Sequence, residues 1–249
     1  MEPTEENLRA WDELHRLRVA ALADRPAIPP GIRELLPDLQ GRHVVHLMCG
    51  TGEASAELAA IGALVTGVDV WDEALAVARE RYPDLVFVHA DPHDLPLQLR
   101  RRRTDLVYAG GGVLRYLHDL DAFLSGAVAA LKTHGLLILW DTHPALECLD
   151  LTSLRWREDY FGGALLVGTR LGEEREVRLW RLGEVVNAVL AAGLVVRRLD
   201  ELRTPGAVRR HDPRVPGEFA LVAEKPPQPE EGAARRRPAA RASRRAPRR

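Results

Sequence analysis

The residues with the clearest chemical potential are a glycine loop and an acid that follows it. Gly50 and Gly52 stand two positions apart, and glycine lets a backbone turn tightly and approach a ligand with no Cβ in the way. Asp69 follows at about the spacing at which nucleoside-binding βαβ units place a carboxylate on the ribose hydroxyls. The pattern predicts a site for an adenosine-like ligand.

Two strands and a helix must position these residues. Val44–Met48 is a short apolar run, typical of a central parallel strand that is covered on both faces. Ala54–Ile61 has the pattern of a helix whose free N–H groups would face the ligand, and Leu64–Val68 is a second strand that delivers Asp69 at its C-terminal edge. Strand, loop, helix, strand and acid in this order favour a nucleoside cofactor over a purely structural turn.

Two cofactors are compatible with such a unit, a nicotinamide dinucleotide and S-adenosylmethionine. In the dinucleotide pattern G-x-G-x-x-G/A the third position would be Ser55, which is small but outside the pattern. A short-chain oxidoreductase would also need a lysine four residues after its catalytic tyrosine, and neither Lys132 nor Lys225 follows a tyrosine at that spacing. An NAD-dependent oxidoreductase therefore stays only as an alternative.

At the glycine loop the sequence resembles the class I S-adenosylmethionine-dependent methyltransferases, whose first motif ends in C-G-x-G and whose second strand ends in G-V-D. The closer likeness is to a bacterial branch with the strand H-L-x-C, as in His46 to Cys49. The resemblance covers about Asn7 to Lys225. It implies an α/β, Rossmann-like fold with a central, mostly parallel seven-stranded sheet and helices on both faces. It also implies S-adenosylmethionine as cofactor and methyl transfer to an oxygen or nitrogen of a small molecule.

The resemblance assigns cofactor contacts to residues of the loop and of three strand ends. They are His46, Met48, Cys49, Gly50, Thr51, Gly52, Asp69, Val70, Asp91, Pro92 and Ala109. Three of these depart from the wider family. His46 stands where most members have an acid, Met48 stands where they have a glycine, and Pro92 has no N–H to donate to the adenine ring.

The acceptor side of the predicted site follows strands four and five. Gly110–Gly112 form a flexible loop at the C-terminal edge of the sheet, where open α/β folds bind their ligands. His143, in a His-Pro pair that the bacterial branch shares, is the leading candidate for a catalytic contact, and Tyr108 is a second. Asp141 is also a candidate base, but a base is needed only if the acceptor must lose a proton. The alternatives are a capping or surface position for His143 and a packing role for Tyr108.

Composition and length predict one main domain. A chain of 249 residues with 46% hydrophobic content can bury one sizeable core. We expect an N-terminal helix and connector over 1–40 and an S-adenosylmethionine-binding methyltransferase domain over 41–225. Within it, 145–178 breaks the βα rhythm and is predicted to be an insert that covers the substrate pocket.

The C-terminal segment differs from the rest in charge. The formal net charge is only −1, but 226–249 holds eight arginines and two glutamates. With so little apolar surface this segment is predicted to be a disordered basic tail. It supports a second hypothesis, a non-catalytic methyltransferase-fold protein that binds RNA or an acidic partner through the tail.

Other classes of protein find little support in the sequence. The start of the chain is acidic and polar, and no stretch has membrane-spanning length, so a cytoplasmic protein is expected. Two cysteines support neither a disulfide framework nor a metal site. Nucleic acid is not the expected acceptor, because the N-P-P-Y or P-C motifs of many nucleic-acid methyltransferases are missing after strand four. The oligomeric state is left open.

Overall fold

The protein is described by a computed structural model that covers residues 26–101, 103–150, 153, 155–168, 174–203 and 214–227. The predicted N-terminal helix lies outside the described residues. So does the basic tail beyond residue 227.

Seven strands form one central sheet. They are β1 (His43–Leu47), β2 (Leu64–Asp69), β3 (Val86–His89), β4 (Thr104–Gly110), β5 (Leu131–Thr142), β10 (Val195–Leu202) and β11 (Glu218–Glu224). Their order is β10-β11-β5-β4-β1-β2-β3. β1 to β5 run parallel, β11 is antiparallel to β5, and β10 is antiparallel to β11. The predicted seven-stranded, mostly parallel sheet is confirmed.

Helices cover both faces of this sheet. They are α1 (Pro30–Arg33), α2 (Glu53–Ala60), α3 (Asp72–Arg81), α4 (Leu97–Arg100), α5 (Leu120–Ala130), α6 (Pro144–Glu147) and α7 (Leu182–Ala191). Val107 and Ala109 of β4 join the apolar core shared with α5 and α7, while Leu106 and Tyr108 join the core shared with α1 and α2. This alternation follows from the two-residue period of a strand. Within the described residues, no helix is both long and apolar enough to cross a membrane.

The start of β5 differs from the prediction. The sequence predicts a helix that ends at Lys132, a turn at His134 and Gly135, and a strand that begins only at Leu136. In the structure the strand already begins at Leu131, which pairs with Thr104 of β4. The register then shifts before Leu136 pairs with Leu106, which leaves a bulge in β5. His134 has a positive φ of 62° in this bulge, and its N–H donates to the carbonyl of Lys225 at 2.8 Å. Contacts with a distant part of the chain therefore hold a turn inside the strand.

The predicted insert contains short elements instead of a further βα unit. It begins with α6 and continues with the antiparallel hairpins β6 (Leu149–Asp150) with β7 (Arg155–Trp156) and β8 (Ala164–Gly168) with β9 (Glu174–Arg178). Just after β9, the indole N–H of Trp180 donates to the carbonyl of Leu117 at 2.9 Å. This contact fixes the end of the insert to the segment that follows β4.

The end of β4 is closely packed against a tryptophan of β5. Gly110 and Trp140 are partners in the sheet, and a Cβ on Gly110 would overlap the indole ring. The same indole N–H donates to the hydroxyl of Tyr108 at 2.5 Å, inside the core. The absence of a side chain at Gly110 is therefore required for this packing.

Gly110→Ala is expected to lower the free energy of unfolding by about 1–3 kcal/mol, the usual cost of overpacking, because the indole must move away from the new methyl group. Urea denaturation measures the change. Gly183→Ala in α7 is the matched control, since a Cβ there meets nothing within 4 Å. We expect the control to gain up to ~1 kcal/mol from helix propensity. Equal effects at the two positions would contradict this account.

Candidate functional site

The loop after β1 has the tight backbone that its glycines predict. Gly50 and Gly52 have φ values of 53° and 88°, in the left-handed region, and the N–H of Gly52 donates to the carbonyl of Cys49 at 3.1 Å. Gly52 is also the residue from which α2 begins. A Cβ at Gly52 would lie 2.9 Å from the ring of Phe87, so a larger residue does not fit there.

The structure brings the loop and the predicted acid together. Asp69 Oδ2 accepts the N–H of Gly50 at 2.7 Å, and Oδ1 accepts the N–H of Trp71 at 3.1 Å. Burial raises the pKa of Asp69, although the N–H groups of Gly50, Trp71 and Val70 oppose the shift. Each carboxylate oxygen has a second lone pair that can accept a hydroxyl group. The two parts that the sequence pairs thus form one cradle at the ends of β1 and β2.

His46 connects the strand before the loop to the helix after it. Its side chain is buried, its Nδ1 lies 2.8 Å from Ser55 Oγ, and its ring contacts the edge of the Tyr108 ring. Burial lowers the pKa of His46 to about 3, so the imidazole is neutral. His46 was predicted as a cofactor contact. Its described contacts join β1 to the first turn of α2 through neutral groups, and the cofactor contact of His46 stays a prediction.

Two other predicted contacts differ in how they fit the loop. Met48 has a φ of 56°, a left-handed conformation that is costly for a residue with a Cβ. Cys49 is buried beneath the loop, where a Cβ on Gly67 would lie 2.9 Å from its sulfur. Burial and the Asp69 charge raise the pKa of the Cys49 thiol well above its usual value, so it stays protonated. Met48 therefore has a backbone conformation that favours glycine, although it carries a side chain.

Asp91, another of the predicted cofactor contacts, follows β3, and about half of its side chain is exposed. Its Oδ1 accepts the N–H of His93 at 2.8 Å and lies 2.8 Å from the Nδ1 of the same residue. Burial raises the pKa of Asp91, but the N–H group and the ring of His93 outweigh it and leave the pKa below its ordinary value. The His93 ring in turn contacts the ring of His118, with centroids 4.0 Å apart and the two planes tilted by 40°. Asp91 itself indicates this turn, because an aspartate often accepts the backbone N–H two residues on. The contact with the His93 ring was not predicted from the sequence.

Tyr108 lies in the core, away from solvent. Its side chain is 1% exposed, its hydroxyl is occupied by the indole N–H of Trp140, and burial raises its pKa further above the ordinary value. A base must be able to lose its proton near neutral pH and reach the acceptor. These contacts support the packing alternative for Tyr108.

His143 begins α6, and both of its ring nitrogens have neighbours. Nδ1 accepts the N–H of Ala145 at 3.1 Å, and Nε2 lies 3.0 Å from a carboxylate oxygen of Glu201. Burial lowers the pKa of His143, and the charge of Glu201 offsets this only in part. The geometry supports the capping alternative, and a catalytic contact of His143 stays a prediction.

The carboxylate of Asp141 connects the end of β5 to the segment just beyond Gly110–Gly112, which we call the acceptor loop because the sequence predicts it on the acceptor side of the site. Asp141 is 4% exposed, and its Oδ2 accepts the N–H of Leu114 at 2.8 Å, just beyond the glycines of the loop. Arg115 and Glu147 form an ion pair beside it. The sequence singles out Asp141 as a candidate base but gives no sign of its contact with Leu114 or of the Arg115–Glu147 pair. Among the described residues, no group of three or more His, Cys, Asp or Glu side chains could hold a metal ion.

Comparison with known proteins points to one family. Residues 45–139 match the family model for a methyltransferase domain. The chain is 32% identical over 131 residues to trans-aconitate 2-methyltransferase of Delftia acidovorans, which covers 52% of this chain and 48% of that protein. It is 28% identical over 205 residues to ubiquinone biosynthesis O-methyltransferase of a Methylobacterium species, and this match covers 75% of this chain and 77% of that protein. The chain spans about half the length of the first curated relatives that it matches.

A solved structure shows the same architecture. The S-adenosylmethionine-dependent methyltransferase of Mesorhizobium loti superimposes with a TM-score of 0.65 at 23% identity, covering 78% of this chain and 96% of that chain. At this level of identity the likeness shows the shared fold. The fold and the family-model match agree with the resemblance found at the glycine loop.

The left-handed backbone at Met48 yields a test by paired substitution. Met48→Gly and Met48→Ala both remove the side chain, but only glycine relieves the backbone. Met48→Gly is therefore expected to be about 1 kcal/mol more stable than Met48→Ala in urea denaturation. Ala56→Gly in the middle of α2 is the control, where glycine should cost about 1 kcal/mol relative to alanine. If glycine is worse than alanine at both positions, the backbone at Met48 is not strained.

Proposed function

This chain contains a class I S-adenosylmethionine-dependent methyltransferase domain, and we propose that it transfers a methyl group to an oxygen or nitrogen of a small-molecule acceptor. The predicted family and its cofactor, S-adenosylmethionine, are confirmed by the family-model match and the shared fold. The activity of the whole protein and its acceptor are our proposal. The observation that carries it is the cradle in which Asp69 accepts the N–H of Gly50 at 2.7 Å.

The residues of this cradle fit the cofactor. Asp69 would hold the ribose hydroxyls, because its carboxylate is fixed by two backbone N–H groups and keeps lone pairs for further donors. Gly50 and Gly52 let the backbone approach the amino-acid end. Asp91, with a lowered pKa, would accept from the adenine amino group. Met48 places a bulkier side chain in the loop than a glycine would, and this side chain packs against the apolar core.

The chemistry asked of the protein is mainly positioning. The sulfonium of S-adenosylmethionine supplies an electrophilic methyl group, so alignment with the acceptor can provide most of the rate. The Gly110–Gly112 loop and the segment after β5 border the C-terminal edge where the acceptor would bind. Because Tyr108 is enclosed and His143 starts a helix, we propose that the acceptor does not depend on either of them as a base.

The relatives suggest which acceptors to try first. One is named for trans-aconitate, and another is named for O-methylation in ubiquinone biosynthesis. Trans-aconitate and the precursors of ubiquinone are small molecules, in line with the proposed acceptor class. The insert over 145–178 is proposed to cover the acceptor, supported by the bond from Trp180 to Leu117 next to the acceptor loop. A cytoplasmic location is proposed on the sequence alone.

The alternatives receive different support. The antiparallel β10 and β11 close the sheet as in the methyltransferase fold, whereas dinucleotide folds tend to continue in parallel, which disfavours an NAD-dependent oxidoreductase. A non-catalytic protein that uses the basic tail is favoured by the Met48 backbone and by Pro92, both departures at cofactor positions. This second candidate predicts weak or absent cofactor binding.

The cofactor is tested by calorimetric titration with S-adenosylmethionine, S-adenosylhomocysteine and NAD. We expect micromolar binding of the two adenosyl compounds and none of NAD. Asp69→Asn should weaken their binding by about 10–100-fold, since hydrogen bonds to a charged group contribute ~1.5–3 kcal/mol. Asp72→Asn is the matched control, because Asp72 is an exposed carboxylate at the start of α3, and it should change the affinity less than about threefold. NAD binding alone would sink the proposal.

The acceptor and the tail are tested together by methyl-transfer assays. Trans-aconitate and phenolic precursors of quinones are offered with labelled S-adenosylmethionine, to the full chain and to a variant that lacks 228–249. The truncation keeps Lys225, whose ammonium donates to the carbonyls of Val128 and Leu131 at 2.7 Å. A small-molecule methyltransferase should keep its rate within about twofold. Loss of activity only in the truncated variant would favour a tail-dependent partner.

A further inference from the structure

The loop after β4 contains two glycines and leads into a short 3-10 helix, Leu114–Tyr116. Gly111 and Gly112 have φ values of 85° and 97°, and glycines populate many conformations unless something outside selects one. The N–H of Gly111 donates to the carbonyl of Trp140 at 3.2 Å, at the edge of the sheet. Beyond the glycines, the chain is held at Leu114 and again at Leu117.

The contact at Leu114 is made by a buried charge. Asp141 Oδ2 accepts the N–H of Leu114 at 2.8 Å, and Oδ1 accepts the N–H of Thr142 at 2.7 Å. Hydrogen bonds to an ionised carboxylate are stronger than those to a neutral group. A single side chain at the end of β5 therefore fixes where the loop of β4 ends.

Several charged groups surround this carboxylate. Arg115 follows Leu114 and pairs with Glu147 of α6, which makes a second link between the same two segments. Glu218 on β11 is the partner of Thr142 in the sheet, and its pKa is raised by burial and by the Asp141 charge. Arg115 stabilises the ionised Asp141, and Glu147 disfavours it.

We propose that Asp141 is a positioning residue, whose ionised carboxylate holds the Gly110–Leu114 loop in one conformation and releases it when protonated. A protonated carboxyl keeps one good acceptor oxygen, so it cannot serve both Leu114 and Thr142 equally well. The inference rests on the proposed function in one respect, since the loop matters for catalysis only if it borders the acceptor. Asp141 then acts through the backbone and does not remove a proton.

The pH range of the effect follows from the burial of Asp141. Burial raises its pKa to about 6, against the N–H of Leu114, the charge of Arg115 and the N–H of Thr142. A pKa that is higher in the folded than in the unfolded chain means that protonation of this group does not destabilise the fold. Loosening of the loop below about pH 6 is therefore expected in a folded protein.

The test is a pH titration of the ¹⁵N-labelled full chain by NMR, with S-adenosylhomocysteine present. The Leu114 amide resonance should titrate with a midpoint near the pKa of about 6 of Asp141. In Asp141→Asn the titration should vanish, and the Leu114 amide should exchange with solvent about tenfold faster at pH 7.5, because one strong acceptor is lost. Glu218→Gln is the matched control, a neighbouring half-buried acid whose removal should leave the titration in place.

Each outcome bears on one idea only. A Leu114 resonance that stays fixed between pH 5 and 8 would overturn the inference, as would a titration that persists in Asp141→Asn or disappears in Glu218→Gln. Affinity for S-adenosylhomocysteine within about twofold of the unmodified chain is expected in both variants, which shows that the cradle is intact. If the unmodified chain does not bind S-adenosylhomocysteine, the proposed function fails. The Leu114 titration can still be measured on the free protein.

Discussion

The hydrogen bond from the Gly50 N–H to Asp69 is the contact on which the site depends. It joins the end of β1 to the end of β2, and it forms because the two strands run parallel with Leu47 beside Val68. Parallel pairing sends both chain ends to the same edge of the sheet. A shift of one residue would turn Asp69 toward the opposite face. Register, more than any single side chain, therefore places the acid against the loop.

Burial decides the chemical role of the ionisable groups around this edge. Three of these side chains are enclosed: His46, Tyr108 and His143. Burial lowers the pKa of the two histidines and raises the pKa of the tyrosine, so the neutral form is favoured in each case. Each then contacts a neighbour inside the protein or holds a helix end. Asp69 and Asp141 are buried as well, but backbone N–H groups surround them and can stabilise their charge. The site is therefore built from carboxylates fixed by the backbone.

The sequence predicted the parts that depend on local pattern. The strand, glycine loop, helix and Asp69 follow from residue type and short spacing. The sequence could not predict the start of β5 at Leu131, because its bulge is held by Lys225, far along the chain. The same holds for Asp141, whose bond to Leu114 joins the end of β5 to the segment that follows β4. His143 and Tyr108 have residue types that suit a base, and only the packing around them reveals their enclosure.

The ammonium of Lys225 donates to one carbonyl in the last turn of α5, that of Val128, and to the first carbonyl of β5, that of Leu131, at the N-terminal end of that strand. Because β11 runs antiparallel to β5, the chain leaves the sheet at the edge opposite the glycine loop. Anything tethered beyond this point, such as a fluorescent reporter or a surface anchor, starts on the far side of the sheet from the cofactor edge. The protein can therefore be immobilised from that end with its ligand-binding edge turned outward.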